Sequence, residues 1–106
     1  MAKYLVQVRY TPDGAKGLLA EGGTARRSAT EKAIASAGGK LESFYFALGE
    51  VDAYIIAELP DDVSLVALQL AVNTTGRISS RTVKLITPED VDKATTRGVA
   101  YRAPGG

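Results

Sequence analysis

Residues Lys40–Leu59 read KLESFYFALGEVDAYIIAEL. Two runs of aromatic and aliphatic residues are parted by Gly49-Glu50-Val51 and closed by Pro60, which cannot donate to a strand ladder. In the first run Glu42, Phe44, Phe46 and Leu48 share one face, and Leu41, Ser43, Tyr45 and Ala47 share the other. The second run is largely apolar on both faces, with Ala53, Ile55, Ala57 and Leu59 set against Tyr54 and Ile56. That pattern suits a central strand covered on two sides. Two strands in direct succession make a hairpin, so the flanking segments settle the topology.

Upstream, KYLVQVRY alternates with period two: Tyr4, Val6, Val8 and Tyr10 point one way, Lys3, Leu5, Gln7 and Arg9 the other. Thr11 can cap a helix and Pro12 fits its first turn, which predicts a short helical turn through Leu18-Leu19, weakened by Gly14 and Gly17. A longer helix is predicted over about Thr24–Ala37. Ala25, Ala29, Ala33 and Ala37 recur every four residues with Ile34 beside them, a stripe small enough to approach a sheet closely. Arg26, Arg27, Glu31 and Lys32 form its wet face, and Gly38-Gly39 stops it. Downstream, DDVSLVALQLAVNTTG predicts a helix capped by Asp61 or Asp62. Its apolar residues cover more than half its circumference, which predicts deep burial. RISSRTVKLI is a further strand, and Thr87-Pro88-Glu89-Asp90 opens a short last helix.

The order is β-α-β-β-α-β plus a C-terminal helix: an α+β, ferredoxin-like fold with a four-stranded antiparallel sheet and helices on one face. One domain is expected over residues 1–94. The tail 95–106, TTRGVAYRAPGG, is expected to be flexible or docked on a neighbouring subunit.

Composition excludes several function classes. Among 106 residues there is no Cys, His or Trp. Thiolate chemistry, a nucleophile–His pair, a Cys/His zinc site and His- or thiolate-ligated heme have no residues to carry them, so no metal or cofactor is expected. Acid–base work falls to Asp, Glu, Lys or Tyr. Net charge is +1 and basic residues are scattered, which argues against a nucleic-acid partner. The Gly-rich stretch from Gly14 to Gly23 lacks GxGxxG spacing, and SAGGK precedes a strand instead of a helix. No apolar run reaches membrane-spanning length and no signal-peptide pattern opens the chain, so a cytoplasmic protein without a membrane partner is expected.

Helices on one face leave the other face of the sheet bare, and the strands carry apolar residues on both. An exposed patch of that size usually marks a binding surface. The economical arrangement is a twofold homodimer, or a higher homo-oligomer, with sheets packed face to face. A cavity between or beside the sheets then suits a small apolar or aromatic ligand.

The segments YLVQVRYTPDGAKGL, AGGKLESFYFALGEVDAYIIAELPDD and GRISSRTVKLITPEDVDK carry a resemblance. From the first strand to about Asp92 the chain resembles the GYD domain, a small module placed among the dimeric ferredoxin-like barrels. Gly49 and Asp52 occupy positions of the signature cluster, usually written Gly-Glu-Tyr-Asp, and Val51 stands at the Tyr position. A reaction run by that Tyr hydroxyl would be lost here. The resemblance implies the fold and an oligomer, and it brings no common activity. Related barrels include cofactor-less monooxygenases, heme-degrading enzymes and small cyclases or isomerases, an analogy at the level of fold.

The candidate ligand-binding residues are Tyr45, Glu50, Asp52, Tyr54, Arg9 and Arg81. For GEVD the plain expectation is a hairpin corner, with Gly49 at positive φ and Asp52 bonding the turn's own amides. The sharper one makes Glu50 or Asp52 a general base at a cavity mouth. Tyr45 or Tyr54 could orient a phenolic or polyketide-like ligand, and Arg9 or Arg81 a carboxylate. A homo-oligomeric binding or structural module is the preferred function. The alternative is a cofactor-less isomerase, cyclase or monooxygenase acting on an aromatic or polyketide-like compound.

Overall fold

The computed structural model describes residues 1–106. Its elements are β1 (Ala2–Tyr10), α1 (Pro12–Glu21), α2 (Gly23–Ser36), β2 (Lys40–Phe46), β3 (Ala53–Leu59), α3 (Asp62–Asn73), β4 (Ile78–Leu85) and α4 (Pro88–Thr95). The strands form one antiparallel sheet in the order β2-β3-β1-β4. This is the predicted ferredoxin-like βαββαβ arrangement, with α1–α3 against one face and a short C-terminal helix.

α1 is a full ten-residue helix, longer than the short turn its glycines suggested. Thr11 Oγ1 accepts the Gly14 N–H at 3.2 Å, and the Thr11 N–H donates to the Arg77 carbonyl at 3.0 Å. Gly14 is what lets α1 sit there, because a Cβ on it would lie 1.9 Å from the Arg77 oxygen. α2 stops where the Gly pair predicts, with Gly38 at φ 84°.

The core lies between the helices and the sheet. Tyr4 and Val8 of β1, Ala53, Ile55, Ala57 and Leu59 of β3, Ile34 of α2 and Leu65 of α3 are its buried hydrophobic residues. Alternation along β3 is clean, with every odd-numbered residue buried.

β2 departs from simple alternation. A bulge falls between Leu41 and Ser43 in its pairing with β3. One extra residue reverses the facing of everything before it. Leu41 therefore packs into the core with Phe44, while Glu42 turns to the open face and pairs with Lys3 at 3.0 Å. The strand ends at Phe46, and Leu48 lies in solvent beyond it.

α3 also corrects the sequence expectation. Asp61 caps it by accepting the Ser64 N–H at 2.8 Å, which holds the Asp61 carboxyl below its usual pKa. Deep burial is not found: Leu65 is buried and Leu68 packs on the core, but Val63, Val66 and Leu70 are exposed. The sheet can cover only one arc of a helix, and the opposite apolar arc has no partner within a single chain.

Only nine of the 106 residues are buried, a small core for this length. From Ile86 to Gly106 every residue is exposed, and α4 buries none of its side chains. The Cα radius of gyration is 17.1 Å, against about 13 Å for a compact domain of this size. The C-terminal arm therefore stands off from the body. No helix is long and apolar enough to cross a membrane.

Candidate functional site

The open face of the sheet is built in rows by the strand register. Tyr45, Tyr54, Gln7 and Arg81 are successive cross-strand partners and make one row. The next row is apolar on three strands, with Ile56 opposite Leu5 and Leu5 opposite Val83, and ends on β2 at Ser43. Beyond it lie Glu58, Lys3 and Leu85, with Glu42 on Lys3. At the far end Arg9 pairs with Ser79. The face is thus an apolar band with two tyrosines along one margin and charged residues toward both ends, more polar overall than the sequence suggested. Tyr45 is 72% exposed and Tyr54 40%.

Five of the six predicted site residues meet on or beside this face. Arg9 Nε donates to the Glu50 carbonyl at 2.6 Å, so the β2–β3 loop folds back over the end of β1. Arg9, Glu50 and Arg81 line a shallow polar groove with Gln7, Val51, Ser79 and Ser80. Tyr45 and Tyr54 form the cross-strand pair next to it, outside its lining. Asp52 goes elsewhere: its Oδ2 accepts the Tyr10 N–H at 2.8 Å. Its own N–H donates to the Val8 carbonyl at 2.9 Å, and its carbonyl accepts the Ala47 N–H at 2.8 Å. The corner reading of GEVD holds at Gly49, with φ 144°, but the carboxylate ties the loop to β1 and not to the turn's own amides.

A second region went unmarked in the sequence. α2 lies over β2 and α3 over β4, and between them the central strands are incompletely covered. The gap is a cavity of about 90 Å³. Val8, Ile55 and Ala57 form its floor, Ala33 and Ile34 one wall, and Leu65, Leu68 and Val72 the other. The alanine stripe of α2, expected to draw helix and sheet together, contributes Ala33 to this space: small side chains removed bulk without closing the gap. Along β4 the polar lining is mutually satisfied. Gln69 Nε2 donates to the Ser80 carbonyl at 3.2 Å and Thr82 Oγ1 donates to Gln69 Oε1 at 3.0 Å. Ser80 Oγ donates to Asn73 Oδ1 at 3.0 Å.

Arg26 stands at the mouth. Periodicity placed it on the wet face of α2, yet it lines both the cavity and an adjoining cleft formed with Tyr10, Gly14, Glu21, Arg77 and Ile78. Its Nη1 pairs with Glu21 at 3.2 Å, while its Nε is shut off from solvent and has no hydrogen-bond partner. Tyr10, half-buried beside it, has its phenol pKa raised, first by burial and then, against the pull of Arg26, by Asp52 and Glu21. The one sequence signal for this site was a cation next to the first residue of an alanine stripe and three residues after a Gly-Gly break. That signal also describes an ordinary exposed helix.

At the other end of β1, the buried Tyr4 hydroxyl donates to Asp62 Oδ1, and Lys84 approaches the same carboxylate at 3.0 Å. Burial, then the Asp62 bond, pushes the Tyr4 phenol up to about 12. The Asp62 carboxyl is held low, first by Tyr4 and then by Lys84. This pair locks α3 onto the sheet and lies outside the cavity lining.

Comparison with known proteins agrees with the fold. A feast or famine regulatory protein from M. tuberculosis, solved in complex with L-methionine, superposes with a TM-score of 0.53 at 18% identity. The match covers 82% of this chain and 51% of that one, so the chain spans about half the length of that protein. No curated protein matches the sequence. The family model described as the GYD domain matches residues 4–95, from the third residue of β1 to the end of α4. The chain belongs to the GYD domain family.

Proposed function

We propose that the protein is a homo-oligomeric small-molecule-binding module, assembled as a twofold dimer through the open face of its sheet. The observation that carries this reading is the placement of polarity on that face. Leu5, Ile56 and Val83 form a central apolar row, with charged residues toward either end. An interface has that anatomy, an apolar core within a polar rim. A twofold axis through the band sets apolar row against apolar row and leaves Arg9, Arg81, Lys3 and Glu58 at the periphery. The small core of the single chain and its detached arm support the same reading. The tail 95–106 is read as docking on the second copy.

The ligand is small and apolar or aromatic. The mostly apolar cavity between helices and sheet supports the apolar character, and the regulatory protein that shares the fold and was solved with L-methionine supports only the small size. A catalytic alternative has no observation in its favour. The cavity contains none of Tyr45, Glu50, Asp52 and Tyr54, and the polar groove contains Glu50 alone.

Sedimentation equilibrium tests the assembly. The intact chain should run as a dimer or larger species at micromolar concentration. Val83→Asp, at a position 45% exposed in the single chain, should yield a folded monomer. A wild-type protein that is monomeric up to about 100 μM, where even a weak specific interface should be populated, overturns the reading.

A further inference from the structure

We infer that the cavity between α2, α3 and the sheet takes a small carboxylic acid, with its apolar tail inside and its carboxylate on Arg26 at the mouth. This rests on the reading of the chain as a small-molecule-binding module and names the ligand class of its cavity.

Three observations converge. The first is the distribution of free polarity. Gln69 engages Thr82 and the β4 backbone and Ser80 engages Asn73, so that wall offers a ligand few unspent hydrogen bonds. Apart from Arg26 and Thr30, whose hydroxyl donates to the Arg26 carbonyl, the remaining surface is aliphatic or aromatic and favours a tail. The second is Arg26 Nε, a donor removed from water with nothing to bond. A buried unpartnered donor is costly, and a small turn of the guanidinium that brings Nε to a ligand acceptor relieves that cost. A carboxylate suits a guanidinium edge better than any neutral acceptor, through charge-assisted, often paired hydrogen bonds.

The third is the charge balance at the mouth. The adjoining cleft carries two cations, Arg26 and Arg77, and one anion, Glu21. Glu21 is taken up at Arg26 Nη1 in a partly exposed pair, and Arg77 makes no ion pair. The cleft's own lining therefore keeps one unpaired cation, Arg77, and the two guanidiniums attract a carboxylate and repel an amine, against the opposing charge of Asp52, which also acts on Tyr10. Tyr10 keeps its proton well above neutral pH, so it stands beside the anion as an uncharged donor. Space limits the tail. At 10–15 Å³ for each water-sized site, about 90 Å³ accommodates roughly six to nine non-hydrogen atoms. Hexanoate and benzoate are of that size.

The experiment is an NMR-detected titration of the full chain with hexanoate, hexan-1-ol and hexylamine, which reads millimolar affinities. Hexanoate should bind about 10- to 100-fold more tightly than hexan-1-ol, the range of a charge-assisted hydrogen bond, and hexylamine more weakly than either. Arg26→Met should remove the acid's advantage and leave the alcohol unchanged. Ala33→Leu, which fills the cavity, should weaken both. Arg77→Gln, at an exposed position, should weaken hexanoate alone by several-fold, a readout that stands even where Arg26→Met does not fold. Equal affinity for acid and alcohol overturns the ligand class while leaving the cavity a binding site. An acid preference that survives both arginine variants overturns the assignment of the anchor. Failure of all three compounds to shift cavity resonances overturns this inference and the cavity reading beneath it together.

Discussion

Asp52 Oδ2 accepts the backbone N–H of Tyr10 at 2.8 Å, which fastens the β2–β3 loop to the last residue of β1. The carboxylate satisfies a donor at a strand end that has no further ladder partner on β3. Asp52→Ala leaves that N–H unmet and should cost about 1–3 kcal/mol of unfolding free energy. Asp52→Asn keeps an acceptor oxygen and should cost well under half as much. Urea denaturation of the two variants separates this tie from a chemical role, in which the charge itself matters and Asn and Ala lose function alike.

The Tyr4–Asp62 pair sets limits on stability at both ends of the pH scale. Tyr4 has a raised pKa, about 12 folded against a usual value near 10. Below pH 10 both states keep the proton and stability is complete; between about 10 and 12 only the unfolded chain releases it, so stability falls. Asp62 has the opposite sign. Its pKa is depressed, so its contribution is present above the usual carboxylate value near 3.8 and is lost as pH falls through the lower native value. Tyr4→Phe should flatten the alkaline decline, leaving the smaller slope due to Tyr10 and Lys3, and should also weaken the acid one by removing the largest cause of Asp62's depression. Tyr4→Ala empties a site that is 2% exposed and should cost about 3–5 kcal/mol at neutral pH. Guanidinium midpoints from pH 3 to 11 check all three; a Phe variant with the wild-type alkaline slope removes Tyr4 as its source.

Strand alternation was legible wherever one face is buried. Ala53, Ile55, Ala57 and Leu59 all proved buried, and Asp61 capped α3 as its residue type suggests. Register within β2 was not, because a bulge is one unpaired residue with no composition of its own. Glu42 and Leu41 exchanged faces as a result. α1 was underestimated because Gly14 reads as a helix breaker by propensity, whereas its value lies in a contact with Arg77, far away in sequence. The candidate residues on the open face came together because register alone places Tyr45 opposite Tyr54 and Gln7 opposite Arg81. The cavity stayed hidden for a different reason. It depends on how far apart α2 and α3 sit, and periodicity reports which side of a helix is apolar, not how well a neighbour fills it.

Two glycines of α1 should respond to alanine with opposite signs. Helix propensity alone favours Ala by about 0.8–1.0 kcal/mol at each. At Gly17 nothing lies within 4 Å of the added methyl, so Gly17→Ala should stabilise by about 0.5–1 kcal/mol. At Gly14 the methyl would lie 1.9 Å from a backbone oxygen, and relieving that overlap should cost about 1–3 kcal/mol or more. The clash outweighs the propensity, so Gly14→Ala should destabilise and loosen α1 from β4. Thermal unfolding of both variants decides it: two stabilising substitutions mean that α1 does not rest on Arg77.

The C-terminal arm offers the sharpest separation of fold from assembly. From Ile86 onward no residue is buried, and Ile86, Val91, Val99 and Tyr101 expose large apolar side chains. Because the arm gains so little from its own body, removing residues 87–106 should leave the unfolding free energy of a monomeric background such as Val83→Asp within about 0.5 kcal/mol of the intact chain. In the assembled protein the same deletion should act on association. Burying two or three of those side chains against a second copy contributes several kcal/mol gross at about 1.5–3 kcal/mol each, less the cost of ordering the segment. The dissociation constant should therefore rise about ten-fold or more, measured by dilution in sedimentation equilibrium. A truncated chain that associates as tightly as the whole one means that the arm contributes nothing to the oligomer, and assembly then rests on the Leu5–Ile56–Val83 band alone.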